Sequence, residues 1–174
     1  MKISKSLVSR HWKNALEKIL CGSKSTCDPV LIVRPDDPVK AHQMGQYLSQ
    51  QAGAVYVRLG VSCSMHYLFR DILLQISSQE ALARNEYHLH TMRVISARVK
   101  ATGNWRLIAI DNCQHLVLDQ ISYLLGLISE LEGRIQFILL LGDSYLDAWR
   151  EIEKTGDPYL KYLLTIISKR YAIR

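Results

Sequence analysis

Apolar positions along this chain keep two alternating rhythms. Four short, largely apolar runs read as strands: VLIV (30–33), AVYVRL (54–59), RLIAID (106–111) and IQFILLLG (135–142). Between them, apolar residues recur every three or four positions, the period of a helix with one buried face. Val8, Trp12, Ala15, Leu16, Ile19 and Leu20 predict a helix over 4–21, closed by CGSKSTCDP. A second helix is predicted from Pro38 to Ala52, with Asp37 as its cap and Gly53 as its stop. Met65, Leu68, Phe69, Ile72, Leu73 and Ile76 mark a third over 64–76. Leu82, Leu89, Met92, Ile95 and Val99 mark a fourth over 79–101, broken by TGNW. Leu118, Ile121, Leu124, Leu125, Ile128 and Leu131 mark a fifth over 116–131. Helices near 144–154 and 159–168 flank TGDP, and RYAI (170–173) reads as a short last strand.

Strands alternating with helices call for an α/β domain whose parallel sheet is covered on both faces. The whole chain, 1–174, reads as one domain: an N-terminal helix over 1–22 and a sheet core over 30–174, with no repeat, low-complexity stretch or linker. At 48% hydrophobic and 22% charged residues, the balance is that of an ordinary globular protein. No apolar run reaches the roughly 18 residues that span a bilayer. Charges interrupt the N-terminal segment, so no signal peptide is expected, and the expectation is a cytoplasmic protein without membrane insertion. Cys21, Cys27, Cys63 and Cys113 show no C-x-x-C pair and no histidine pair to complete a zinc site. Reduced thiols and no metal centre are expected. The net charge of +6 is concentrated in residues 1–24 and 81–106, where Arg84, Arg93, Arg98 and Lys100 offer themselves to an acidic partner or to phosphate.

Three stretches, in order, carry a resemblance. LIAIDNCQHL (107–116) looks like a Walker B strand and the turn after it. RIQFILLLGDSYLDAW (134–149) looks like the next strand, which ends Gly-Gln/Thr-x-x-Leu in the proteins concerned. KYLLTIISKRYAI (161–173) looks like their last helix and strand, and RLGVSCSMHYLFRDILLQI (58–76) like the segment after their second strand. Together these resemble the AAA+ ATPases of the transposition-helper and general secretion protein A type, over roughly residues 4–174. The resemblance implies a three-layer P-loop NTPase-like core with a five-stranded parallel sheet in the order 5-1-4-3-2, and a chain that stops before the C-terminal helical lid.

The same register sets VRPDDPVKAHQ (33–43) on the phosphate loop, G-x-x-x-x-G-K-[ST]. Only Lys40 matches. Arg34 and Val39 replace the glycines, and their Cβ atoms resist the dihedrals that curl backbone N–H groups around phosphate. Pro35 and Pro38 have no N–H to give, and Ala41 has no hydroxyl for magnesium. Asp36 and Asp37 would face a polyanion, and one such repulsion at about 4 Å costs about 4 kcal/mol at an effective dielectric of about 20. Asp111 stands where magnesium is held. Asn112 replaces the glutamate that activates water, and an amide takes no proton. Asp143 puts a negative charge where a neutral sensor of the terminal phosphate belongs. Each also has a plainer reading: Lys40 as a surface residue, Asp111 as an acceptor for nearby backbone N–H groups, Gln114 and His115 as polar residues at the sheet rim, and Trp12, Trp105 and Trp149 as packing.

The functional expectation is a non-hydrolysing, AAA+-like protein-interaction or scaffold module that needs no cofactor, ATP and magnesium included. By resemblance its setting is DNA transposition or secretion and envelope assembly. Two alternatives stand beside it. One is a nucleic-acid-binding accessory factor using Arg84, Arg93, Arg98 and Lys100, with only weak binding expected. The other is a nucleotide-dependent switch that contacts phosphate through Lys40 and Arg34. Arg150 and Arg170 are the candidates for an arginine reaching a neighbouring subunit.

Overall fold

The computed structural model describes residues 12–23, 27–77, 88–167 and 169–173. The chain opens with helix α1 (Trp12–Ser23) and proceeds through β1 (Val30–Arg34), α2 (Pro38–Ser49), β2 (Ala54–Arg58), α3 (Met65–Ile76) and α4 (His88–Thr102). It continues through β3 (Leu107–Asp111), α5 (Leu118–Glu130), β4 (Gln136–Gly142), α6 (Leu146–Thr155), α7 (Pro158–Ile166) and β5 (Lys169–Ala172). Single 3-10 turns, Cys113–His115 and Asp143–Tyr145, follow β3 and β4.

The five strands form one sheet in the order β2-β3-β4-β1-β5, and every neighbouring pair is parallel. Every residue of β1, β3 and β4 is buried, as three central strands require when both faces are covered. Alternation along the strands divides the core in two. Leu31, Val33, Ile108, Ile110, Leu139 and Leu141 join α3, α4, α5 and α7 on one face. Val30, Ile32, Leu107, Ala109, Ile138 and Leu140 join α1 and α2 on the other.

Two residues expected in the core are outside it. Leu89 is 55% exposed and Leu118 is 40% exposed. The buried residues of α4 are Thr91, Met92, Ile95, Ser96 and Val99, and at about 100° per residue Leu89 sits about 90° from the centre of that sector. Leu118 is the first residue of α5 and lies beyond the end of the sheet, where no facing strand covers it. Val8 and Leu82 lie outside the described residues.

Strand register brings the charged residues together. Arg34 ends β1 opposite Gly142, and Arg58 ends β2 opposite Asp111, the last residue of β3. All four stand on the C-terminal edge of the sheet, where open parallel α/β folds place their ligand sites.

Candidate functional site

Asp111 is a carboxylate at 1% exposure, and a charge so buried must be paired and hydrogen-bonded. Its Oδ1 accepts from Arg34 Nε at 2.8 Å and from the backbone N–H of Asn112 at 2.7 Å. Its Oδ2 accepts the Tyr56 hydroxyl at 2.8 Å, and Arg58 Nε stands 3.9 Å away from the solvent side. Burial, and then the charge and hydrogen bond of Asp111, push the Tyr56 hydroxyl well above the usual phenol range. Burial likewise drives the Cys113 thiol up, with the Asp111 charge adding to it.

Arg34 is itself buried, at 4% exposure. It lies on β1 while Asp111 lies on β3, and β4 runs between them. Two strand spacings are about 9.5 Å, a span that a long arginine covers and a shorter cation does not. The other guanidinium nitrogens are also engaged. Nη2 donates to Asn112 Oδ1 at 2.5 Å and Nη1 to the Pro35 carbonyl at 3.1 Å. Asn112 takes the left-handed conformation, φ 60°, and its own Nδ2 donates to the Leu59 carbonyl at 3.0 Å. Asparagine tolerates that conformation better than most residues. Arg34, Asp111, Asn112 and Tyr56 therefore form one closed polar network from three strands and a turn.

The turn after β1 is closed as well. Asp37 caps α2, its Oδ1 accepting from Val39 N at 2.8 Å and Lys40 N at 3.3 Å. Asp36 Oδ2 accepts Ser144 N at 2.8 Å. Lys40 and Asp143 are exposed, and among the described residues neither has an ion pair. Asp37 thus engages Val39 N and Lys40 N in the first turn of α2, and both oxygens of Asp111 are held, Oδ1 by Arg34 and Asn112 N and Oδ2 by Tyr56. Arg34 was read from the sequence as a lost glycine. Its role as the counter-ion of Asp111, and that of Tyr56 as the third member, had no local signal.

The loops around this network are tied into one surface. Gly142 N donates to Gln114 Oε1 at 3.4 Å, Gln120 Nε2 to the Cys63 carbonyl at 2.9 Å, and the His115 and Tyr145 rings meet edge to face with centroids 6.3 Å apart. A side chain at Gly142 would collide with the Asp36 carboxylate. On this tied surface Val39, Val61, Val117, Leu118 and Tyr145 stand exposed.

The other sequence-derived candidates scatter. Arg93, Arg98 and Lys100 are exposed on α4, and Lys100 pairs with Glu130 at 3.3 Å. At about 100° per residue, Arg93 and Arg98 lie about 140° apart and share no face. Arg84 lies outside the described residues. Arg150 pairs with Asp147 at 2.6 Å within α6. The side chains of Arg170 and Trp149 lie outside the described residues. Trp12 and Trp105 are half-buried and pack against the two cores.

No family model and no curated protein matches the chain. A solved structure does: that of Cdc6p from Pyrobaculum aerophilum aligns with 99% of this chain at a TM-score of 0.65 and 14% identity. At that identity the likeness is one of fold, a parallel sheet covered by helices on both faces. The chain covers 46% of the length of that protein. The P-loop NTPase domain of a sigma-54 transport activator from E. coli aligns with 92% of the chain, at a TM-score of 0.42 and 15% identity over 93% of its own length. Among the described residues no helix is long and apolar enough to cross a membrane.

Proposed function

We propose that this AAA+-like chain is a non-hydrolysing interaction module, in which the former nucleotide site has become a structural plug and its rim a docking face. The observation that carries this reading is the Arg34 guanidinium, bonded to Asp111 Oδ1 and Asn112 Oδ1 where a nucleotide's phosphates and metal would lie. The rim supports the second half: loops from four strands are hydrogen-bonded to one another and display Val61, Val117 and Tyr145 to solvent. A preformed surface of this kind loses little conformational freedom on binding. The setting offered by the resemblance is an assembly of DNA transposition or of secretion. The nucleic-acid alternative is less favoured: Arg93 and Lys100 lie about 20° apart on α4, but Lys100 is paired with Glu130 and Arg98 lies on another face.

Calorimetry with ATP and magnesium checks the first half. The expected result is no binding tighter than about millimolar, worth about 4 kcal/mol, and no hydrolysis above background. A micromolar dissociation constant abolished by Lys40→Ala would overturn it. Affinity capture from the native cell checks the second half. A protein that co-purifies with the parent chain is expected to be lost from the doubly substituted Val61→Asp, Tyr145→Asp chain, and its retention would remove the rim from the proposal.

A further inference from the structure

The opposite end of the sheet holds a cavity of about 440 Å³ between α1, α2 and the first residues of β3 and β4. That is the size of a small-molecule site. Its walls are mostly apolar, with Leu20 and Leu107 among them, and Tyr47 lies at one side. Three polar groups bear on what it would take. Gln136 lines it at 6% exposure, with Nε2 donating to the Asp28 carbonyl and Oε1 left without any donor. Turning the amide over would set two oxygens face to face, so this orientation is the better one, and Oε1 stays sealed behind the wall, out of reach of solvent. Two arginines therefore decide what the cavity takes. Arg106 and Arg134 line the same cavity, and among the described residues neither has an ion pair. Backbone pairing holds the three close, because Gln136 N donates to the Arg106 carbonyl at 2.9 Å. Glu17 is also in the lining, but its carboxylate accepts the Tyr47 hydroxyl at 3.3 Å, and two guanidinium groups outweigh its charge.

We propose that this cavity binds a small anion with an apolar body. The anionic group would meet Arg106 and Arg134, and the apolar body would cover Leu20 and Leu107. Nothing in this assignment depends on the nucleotide end of the sheet.

Anilinonaphthalene sulfonate is a suitable probe, since it carries one sulfonate on a body of apolar aromatic rings. A fluorescence titration of the full chain is expected to saturate at one site. The double substitution Arg106→Gln, Arg134→Gln should weaken it by about tenfold or more, the loss of charge-assisted hydrogen bonds. Ala52→Trp, which fills the cavity from its exposed side, should abolish it. Both changes lie on exposed positions, and unchanged circular dichroism would certify the fold. Cys21 and Cys27 also line the cavity whereas Cys63 does not. The probe should therefore slow iodoacetamide alkylation of Cys21 and Cys27 and leave Cys63 unaffected. Binding that does not saturate, that survives both sets of substitutions, or that leaves the two thiols unprotected would overturn the proposal.

Discussion

Taking the guanidinium from Arg34 would leave a buried carboxylate facing one tyrosine hydroxyl, one backbone amide and only the half-exposed Arg58 at 3.9 Å as a counter-charge. Breaking such a pair from one side costs about 3–5 kcal/mol, because the remaining charge is uncompensated. Arg34→Met is thus expected to lower unfolding free energy by about that amount in a urea titration. Replacing the whole group, as Arg34→Met with Asp111→Leu and Tyr56→Phe, should recover most of the loss, since no polar atom of these side chains is then left bare. A single variant within about 1 kcal/mol of the parent would show that the network contributes little. Residue identities told that a phosphate loop had lost its glycines, and so made nucleotide binding an unpromising reading. They did not tell where Arg34 goes. Its partner is 77 positions away in sequence and two strands away in the sheet, and no local pattern encodes a contact across an intervening strand.

Helix starts are where local chemistry speaks most directly. Asp37 and Asp157 each precede a proline at the first helical position and each accepts a backbone N–H at 2.8 Å, from Val39 and from Leu160. Asp37→Ala and Asp157→Ala are each expected to cost about 1 kcal/mol of stability. The two caps share no partner, so the double variant should lose the sum, and calorimetric melting would read it. A larger loss at Asp37 alone would mean that the turn after β1 unfastens with its cap. The start at Asp37 was legible because an aspartate followed by proline fixes the dihedrals and supplies the acceptor within three residues; the same signal at Asp157 and Pro158 went unread, the helix being expected from 159. Leu89 and Leu118 misled for the opposite reason: each continues its helix's apolar spacing at the first turn, where its side chain stays exposed.

At the scale of the molecule, Tyr56 and Cys113, two groups with displaced acidities, sit together at the C-terminal edge, so their titration acts on global folding. The phenol of Tyr56 and the thiol of Cys113 hold their protons more tightly folded than unfolded, their ordinary values being 10.0 and 9.0. Between the ordinary and the raised value the native state binds more protons than the unfolded one, which makes stability fall as pH rises. Their contribution is whole below those ordinary values and is lost through the range above them. The urea midpoint is expected to begin falling near pH 9.0 and to fall more steeply above pH 10.0. Cys113→Ala should flatten the lower part of that fall and Tyr56→Phe the upper part. An undiminished fall in the double variant would place the alkaline transition elsewhere.

The alternation of apolar runs with helical stripes was sufficient for a parallel α/β sheet, because burial on both faces leaves its period on every strand and helix. Residue types at the turn after β1 were the ground for expecting no phosphate binding there. Only the tertiary structure decided the partner of Arg34, by laying β4 between β1 and β3 so that Arg34 reaches across to Asp111. Only the tertiary structure formed the cavity of Arg106, Arg134 and Gln136, whose polar groups come from separate strand ends. Local preference acts over a few residues and can be read there, whereas a charge pair or a cavity depends on which strands become neighbours.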